Sequence, residues 1–284
     1  LKKSESIPRK HGLYRMEAIL SALGNPERGL KSIHIAGTNG KGSTAAMVTA
    51  FAKAHGLRVG TFTSPHMDSI RERIQLDGLP LEEEPFWKAA SVVREVESRL
   101  FEEWGAFNYF EILTAMMFVV FQQEAVDLAI IEVGIGGLLD NTNVGHPLVS
   151  VITTIGLDHQ DLLGSTLEEI TAQKAGIIKP GQQVVVGPVS CECMDVIREV
   201  VSEKGATVQA FSEDFFLIEE SYQDTSVTIP LKQLALQGAF QKENATVAIR
   251  AFRAWIEATG RSVQAEFIEA ALSGVSWPGR MEVL

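Results

Sequence analysis

The chain alternates between short apolar runs rich in β-branched residues and longer stretches whose apolar positions recur at helical spacing. Such alternation predicts parallel strands joined by crossover helices. Two runs, 128–131 and 149–152, carry apolar residues on both faces, as strands covered by helices on each side must. The predicted strands are 32–36, 58–63, 127–133, 148–155 and 183–187, and the predicted helices are 41–55, 82–103, 110–123, 166–175 and 191–204.

The pattern changes near the C-terminal end of the chain. Residues 207–236 have the spacing of strands and turns, and helices follow over about 241–258 and 264–272. The sequence therefore predicts an α/β fold with a mostly parallel sheet flanked by helices, like that of P-loop NTPases, and a small β-rich region near 207–236. Ligands of such sheets bind at the carboxyl ends of the strands. Residues of the candidate motifs lie at the ends of predicted strands or shortly after them, namely Gly37, Thr63, Ser64, Glu132, Gly134, Asp158 and His159.

The segment 37–43 reads G-T-N-G-K-G-S and lies between an apolar run and a helix-compatible stretch. Strand, glycine loop and helix in this order form a cradle for nucleotide phosphates. Lys41 supplies charge to the phosphoryl oxygens, and the hydroxyl of Ser43 or Thr44 can reach a magnesium ion. The sequence therefore predicts a nucleoside triphosphate site. Its loop departs from the common spacing, because Gly42 separates the lysine from the serine.

This loop resembles that of the Mur ligase superfamily, whose members activate a carboxylate with ATP to form an amide bond. The nearest resemblance is to its folate branch, the folylpolyglutamate and dihydrofolate synthases. Further segments are similar to that branch, in the same order along nearly the whole chain. They are T-S-P-H at 63–66, E-R-I at 72–74, F-E-I-L-T-A at 110–115, E-V-G-I-G-G at 132–137 with Asp140 and T-N at 142–143, L-D-H at 157–159, K-A-G-I-I-K at 174–179, Gln241 with Asn244 and Ala245, and W-P-G-R at 277–280.

The resemblance implies a metal and catalytic centre. It implies that Mg²⁺ is held by Ser43, Ser64, Glu132, His159 and a carbamylated Lys174, and that Lys41, His159 and Lys174 are catalytic. On the residues alone, an unpaired Glu132 would be costly to bury, which a metal ion explains. A charge facing solvent at the strand end remains the alternative. His34, His55 and His146 are predicted to be structural, and the role of His66 stays open.

The resemblance also implies contacts to two substrates. The predicted ATP residues are Thr38, Asn39, Gly40, Lys41, Gly42, Ser43, Thr44, Asn244 and Arg280. The predicted pterin residues are Gly12, Leu13, Tyr14, Arg15, Phe110, Glu111 and Asp140, although Phe110 could instead belong to the core. Leu138, Gln173 and Phe240 replace the arginine, glutamate and histidine common in the family. We expect these replacements to alter substrate and adenine contacts, because leucine cannot supply the charged fork of arginine.

The implied reaction joins the carboxylate of folate or dihydropteroate to L-glutamate through an acyl phosphate, with ATP and Mg²⁺. The alternatives are a nucleotide-binding module and a P-loop NTPase or phosphotransferase. We expect 1–284 to form one ATP-binding domain, with its core at about 31–205 and 237–276 and a linker at about 277–284. The family's second α/β domain has no counterpart motif here, so we expect an inactive fragment.

Composition narrows the partners and the compartment. The net charge of −11 argues against nucleic acid, which requires clustered Lys and Arg. The apolar stretch 112–121 is too short to span a membrane, and the N-terminus lacks a signal-like core. The two cysteines, Cys191 and Cys193, are too close in sequence for an easy disulfide. We expect a cytoplasmic monomer.

Overall fold

The structure is a computed structural model that describes residues 11–277. The predicted strands and helices occur in the predicted order, and the structure adds elements at 11–22, 74–80 and 160–163 that were not predicted. The helices are α1 (His11–Ala22), α2 (Lys41–Ala54), α3 (Glu83–Trp104), α4 (Tyr109–Gln123), α5 (Gln160–Leu163), α6 (Leu167–Ala175), α7 (Cys191–Lys204), α8 (Ala239–Ala258) and α9 (Ala265–Leu272). The strands are β1 (Ser32–Ala36), β2 (Val59–Phe62), β3 (Ile74–Leu76), β4 (Leu79–Pro80), β5 (Leu128–Glu132), β6 (Val149–Ile152), β7 (Gln183–Val186), β8 (Thr207–Ala210), β9 (Phe215–Ile218), β10 (Ser221–Asp224) and β11 (Thr228–Pro230). Short 3-10 helices occupy Ile70–Arg73 and Asn141–Val144.

The main sheet in the described residues has the strand order β4-β3-β2-β5-β1-β6-β7-β8. Strands β2, β5, β1, β6, β7 and β8 are parallel, and β3 and β4 add an antiparallel edge. In the centre, Ile33 of β1 is level with Ile130 of β5 and Val149 of β6. The prediction of a mostly parallel α/β sheet is confirmed.

Helices cover both faces of the sheet, and β5 shows how its side chains divide between them. Successive side chains of a strand point to opposite faces. Leu128 and Ile130 pack in the cluster formed with α2, α8 and α9, whereas Ala129 and Ile131 pack in the cluster formed with α1, α3 and α4. All four side chains are buried. This two-sided burial accounts for the uninterrupted apolar run in the sequence.

A second, antiparallel sheet has the order β11-β10-β9 and confirms the predicted β-rich region. One boundary differs from the expectation, because β8 pairs with β7 and so belongs to the main sheet. Val208 and Ala210 of β8 pack against apolar side chains of β7 and α7, including Val184 and Ile197. The main sheet therefore extends to Ala210, and the small sheet occupies 215–230.

No helix in residues 11–277 has both the length and the apolar character needed to cross a membrane.

Candidate active site

The glycine loop joins β1 to α2 at the carboxyl edge of the sheet. Gly40 has φ of 83°, the left-handed region that favours glycine, and directly precedes α2. A Cβ on Gly40 would lie 2.3 Å from Oδ1 of Asn244, so a larger residue would displace the Asn244 side chain or the loop. The N-terminus of α2 provides backbone N–H groups and a partial positive charge at this edge.

A cavity of about 550 Å³ opens beside the loop. Its lining includes five predicted ATP residues, Thr38, Asn39, Gly40, Lys41 and Gly42. It also includes the predicted metal residues Ser64, Glu132 and His159 and the predicted pterin residues Phe110 and Asp140. Pro65, Arg73, Gly134 and Ile135 complete the lining. Most of these residues come from α4 and from segments that follow β1, β2, β5 and β6, which the parallel sheet brings together, whereas Arg73 directly precedes β3.

Lys41 and Ser43 lie in the first turn of α2 but make different contacts. The Nζ of Lys41 donates to the carbonyl oxygens of Gly37 (3.0 Å) and Thr38 (3.2 Å), so the ammonium lies over the loop. Ser43 is buried, and its Oγ accepts a bond of 3.3 Å from Nε2 of Gln241 on α8. Thr44 is also buried, and within residues 11–277 its Oγ1 has no hydrogen-bond partner.

Glu132 is the last residue of β5 and is 3% exposed. Its Oε2 accepts a bond of 3.1 Å from the backbone N–H of Ser64, just after the neighbouring β2. The buried carboxylate of Glu132 thus lies beside the backbone of Ser64, and both residues line the cavity. Carboxylate and hydroxyl oxygens are the hard ligands that Mg²⁺ prefers.

His159 lies in the loop before α5, with φ of 48° and an exposed side chain. Its backbone N–H donates to Oδ1 of Asp158 at 2.8 Å. In the part of the chain that the structure describes, no three His, Cys, Asp or Glu side chains are grouped closely enough to hold a metal ion. A metal at this cavity would therefore need hydroxyl, lysine-derived or phosphate oxygens as further ligands.

Lys174 of α6 is 3% exposed and contacts the same loop. Its Nζ donates to the carbonyl oxygen of Gly37 at 3.1 Å. The pKa of Lys174 is lowered to about 8, mainly by burial and also by the positive charge of Lys41, while the negative charge of Asp158 opposes the shift. The amine is therefore neutral far more often than that of an exposed lysine.

Asp140 is a buried carboxylate that organises the loop after β5. Its oxygens accept bonds from the backbone N–H groups of Gly134 and Ile135 (both 3.1 Å) and from the hydroxyl of Thr142 (2.5 Å). Burial raises the pKa of Asp140, and these hydrogen bonds oppose the rise. Phe110 lies nearby in the cavity wall, with its ring centroid 5.9 Å from that of Phe62.

The other predicted pterin residues lie elsewhere in the described structure. Arg15 of α1 forms an ion pair with Glu111 of α4, with Nε–Oε1 at 2.8 Å and Nη2–Oε2 at 3.1 Å. Glu111 also caps α4 by accepting from the backbone N–H of Asn108 at 2.7 Å. Leu13, Tyr14, Arg15 and Glu111 are outside the described cavity lining, and Gly12 lies in the first turn of α1. Their contact with a pterin stays a prediction.

The two predicted nucleotide residues beyond the loop have different positions. Asn244 is buried on α8, where its Nδ2 donates to Oε1 of Gln241 at 3.0 Å and its Oδ1 abuts Gly40. Arg280 lies outside the described residues, as does the predicted linker after Trp277. Of the three replaced positions, Leu138 and Phe240 are exposed.

Two of the histidines predicted to be structural, His34 and His55, contact neighbouring side chains of the fold. His34 is 2% exposed, and its Nε2 bonds to Oγ1 of Thr142 at 2.9 Å. Burial lowers the pKa of His34 to about 3. His55 packs between Phe252 and Phe267, with ring centroids at 5.0 and 5.4 Å.

Arg73 is a cavity residue to which sequence reasoning gave no role. It directly precedes β3, which pairs with β2, and it lines the cavity. Its Nε donates to Nδ1 of His66 at 2.9 Å, and its guanidinium carbon lies 5.4 Å from the centre of the Tyr109 ring. The motif E-R-I contained the residue, but only the antiparallel hairpin formed by β2 and β3 places it beside Ser64.

This fold and this site define a nucleotide-binding domain of the Mur ligase type. Residues 35–252 match the family described as Mur ligase middle domain, and the chain belongs to this family.

Similar proteins are synthases of folate derivatives. The chain is 36% identical over 287 residues to the dihydrofolate synthase/folylpolyglutamate synthase of Bacillus subtilis, covering 97% of this chain and 66% of that protein. It is 37% identical over 279 residues to the folylpolyglutamate synthase of Lacticaseibacillus casei, covering 94% and 65%. A solved FPGS–AMPPCP–folate complex superposes with a TM-score of 0.89 at 35% identity, covering 98% and 70%. The chain thus spans slightly less than two thirds of the length of these two curated relatives.

Proposed function

We propose that this chain is the ATP-binding domain of a ligase that joins folate or dihydropteroate to L-glutamate. The observation that carries the proposal is that one cavity is lined by the phosphate-type loop, by Glu132 with Ser64, and by Phe110. It offers sites for a triphosphate, a divalent metal and an aromatic substrate within reach of one another. The activities named for the relatives, and the AMPPCP and folate in the solved complex, support the same assignment.

The proposed reaction has two steps. A carboxylate oxygen of the pteroyl substrate attacks the γ-phosphorus of ATP, and the bond to the leaving ADP breaks. The amine of L-glutamate then attacks the acyl carbon, the bond to inorganic phosphate breaks, and the nitrogen loses a proton as the amide forms. Lys41 and the backbone N–H groups at the start of α2 would stabilise charge on the transferring phosphoryl group.

Magnesium is the metal that best suits the oxygen atoms at this site. Mg²⁺ is usually bound through one or two carboxylates together with substrate phosphates and water rather than by a cage of protein ligands. Glu132, Ser43 and Ser64 supply one carboxylate and two hydroxyls near the loop, and His159 adds a nitrogen ligand. Bound there, the metal would neutralise the phosphates and orient the γ-phosphoryl group.

We propose that Lys174 is carbamylated, as the family resemblance implies. Its neutral amine would attack CO₂, forming an N–C bond and releasing a proton, so that a cation becomes an anionic oxygen ligand. The lowered pKa of about 8 supports this reaction, because the attacking species is the uncharged amine. The loop contact through Gly37 gives the modified side chain a position next to the phosphate site.

The remaining features of the proposal concern the wider protein. Phe110 and Asp140 would contact the pterin, and the domain would have the core, linker and boundaries predicted from the sequence. We propose a cytoplasmic monomer in which features outside these 284 residues bind glutamate. The isolated chain would then bind ATP without forming the amide.

The test uses the complete gene product that contains these residues. Glu132→Ala and His159→Ala should each abolish ATP-dependent addition of one glutamyl unit to dihydropteroate or a reduced folate, measured by mass spectrometry. Glu199→Ala and His146→Ala, which change exposed residues outside the cavity, are the matched controls. Ligation near the wild-type rate in either cavity variant would refute the assignment. ATP turnover without any glutamyl product in the wild type would favour the NTPase alternative.

A further inference from the structure

Two threonine hydroxyls form hydrogen bonds between the glycine loop and the segment that follows β6. The Oγ1 of Thr153 donates to the carbonyl oxygen of Asn39 at 2.6 Å. The Oγ1 of Thr154 accepts from the backbone N–H of Asn39 at 3.0 Å and lies 3.2 Å from its carbonyl oxygen. Both polar backbone groups of Asn39 are thus engaged by side chains that lie more than a hundred residues away in sequence.

Thr38 adds reciprocal bonds between the same two segments. Its backbone N–H donates to the carbonyl oxygen of Thr154 at 2.8 Å. Its Oγ1 accepts from the N–H of Gly156 at 3.0 Å and donates to the carbonyl oxygen of Gly156 at 3.1 Å. We call this set of residues, Thr38, Asn39, Thr153, Thr154 and Gly156, the threonine clasp.

The packing of the clasp depends on the glycine that begins the loop. A Cβ on Gly37 would lie 1.9 Å from Oγ1 of Thr153, so a side chain there would exclude the hydroxyl. Thr153 is 1% exposed, and its backbone N–H also bonds to the carbonyl oxygen of Ala36 at the end of β1. The hydroxyl therefore lies in a fixed position against Gly37, and turning it away would break its hydrogen bond to the Asn39 carbonyl oxygen.

The clasp connects two walls of the cavity. Thr38 and Asn39 line it on the loop side, and His159, three residues after Gly156, lines it on the other. Thr153 and Thr154 are outside the described lining. We propose that Thr153 and Thr154 are positioning residues. They hold the loop in the conformation that binds phosphate and fix its position relative to His159. This inference rests on the proposed function, since it takes the loop to be the phosphate site.

Loss of the clasp should weaken nucleotide binding without removing any nucleotide contact. A loop that is already ordered loses little conformational entropy when phosphate binds, whereas a freed loop loses more. The double variant Thr153→Ala/Thr154→Val should bind Mg·AMPPCP about tenfold more weakly than the wild-type chain in calorimetric titration, as expected for about two net hydrogen bonds. The serine double variant keeps both hydroxyls and should restore the affinity.

A hydroxyl pair elsewhere supplies the matched control. Thr49 and Thr61 bond to each other at 2.7 Å and lie outside the described cavity lining. Thr61→Val should leave nucleotide affinity within about twofold of the wild type. A folded clasp variant that binds as tightly as Thr61→Val would overturn the proposal, and so would a serine variant as weak as the alanine and valine one.

A second measurement needs no nucleotide and separates this inference from the proposed function. Thr154 is only half-buried, so Thr154→Val should fold even where the double variant does not. By amide hydrogen–deuterium exchange, its loop residues 38–41 should exchange about tenfold faster than in the wild type. Unchanged exchange in a folded Thr154→Val protein would refute the clasp. A wild-type chain that shows the protected loop but binds no nucleotide would instead refute the proposed function alone.

Discussion

Individual buried residues with charged or titratable side chains distinguish this site from an ordinary protein surface. Lys174 is almost fully buried, close to the Lys41 ammonium and bonded to a backbone carbonyl. Sequence alone could identify Lys174 only through its motif, because most helix lysines are solvated. The burial of Lys174 and its lowered pKa result from the packing of α6 against the loop, which the sequence does not show.

Carbamylation of Lys174 makes a direct spectroscopic prediction. With a pKa of about 8, the neutral amine becomes more abundant as the pH rises through that value, so more carbamate should form between about pH 7 and about pH 9. Isotopically labelled CO₂ should give a carbamate carbon signal that is lost in Lys174→Arg. Lys179→Arg changes another partly buried lysine with a lowered pKa and serves as the control. A signal that survives in Lys174→Arg but disappears in Lys179→Arg would contradict the assignment.

The titration of His34 should make the stability of the fold depend on pH. Burial lowers its pKa to about 3 in the folded state, whereas the unfolded chain keeps a value near 6.5. Below pH 6.5 the unfolded state therefore binds a proton that the folded state does not, and stability falls as the pH decreases towards 3. At pH 5 the loss should be about 2 kcal/mol.

The matched pair His34→Gln and His146→Gln tests this titration by denaturant unfolding. His34→Gln should remove the contribution of His34 to the loss of stability below pH 6.5, since glutamine does not titrate there. His146 is exposed, so its variant should keep the wild-type profile. Identical profiles in all three proteins would show that His34 is not the group responsible.

At the scale of elements, sequence periodicity located the strands and helices well because parallel strands buried on both faces are nearly continuous in apolar residues. β6 shows where such reasoning failed. Residues 148–155 were predicted as one strand, but β6 ends at Ile152. After Ile152, the hydroxyls of Thr153 and Thr154 and the backbone carbonyl of Thr154 bond to the glycine loop. Long-range side-chain bonds of this kind leave no periodic signal.

The ion pair between α1 and α4 allows a test of whether Glu111 acts in the stability of the fold or in substrate binding. Glu111 is 2% exposed, pairs with Arg15 and caps α4. Glu111→Gln should therefore lower the free energy of unfolding by about 3 kcal/mol, because it leaves a partly buried guanidinium without its carboxylate. Glu103→Gln, on an exposed position of α3, should have little effect.

Folate affinity decides between the two roles of Glu111. If the residue is structural, folded Glu111→Gln protein should bind folate as the wild type does. A variant of wild-type stability with much weaker folate binding would instead support the pterin contact predicted from the sequence. Calorimetric titration of the complete gene product, alongside urea unfolding, provides both values.

At the scale of the whole molecule, the motifs along the chain predicted one site because a parallel sheet brings the carboxyl ends of its strands to one edge. The loop, Ser64, Glu132 and His159 do share one cavity. Sequence could not anticipate Arg73, which reaches the same cavity through the antiparallel edge. It also could not distinguish Phe110 in the cavity wall from its neighbour Glu111 in a buried ion pair, since both belong to one motif.

Residues 1–284 alone should bind Mg·ATP weakly and form no amide. The chain covers 66% of the Bacillus subtilis relative, and correct positioning of reactants can supply roughly 7–11 kcal/mol of a barrier. Incubation with ATP, Mg²⁺, dihydropteroate and glutamate, followed by mass spectrometry, measures the outcome. Abundant glutamyl product from this chain alone would show that the described domain suffices for catalysis.

The most direct test of the proposed site is a crystal structure of the chain grown with AMPPCP and Mn²⁺ in place of Mg²⁺. We predict that the phosphates lie along residues 37–44 and that an anomalous manganese peak lies next to Glu132 and the hydroxyl of Ser43. Nucleotide bound away from the loop, or a manganese peak distant from both residues, would contradict this prediction.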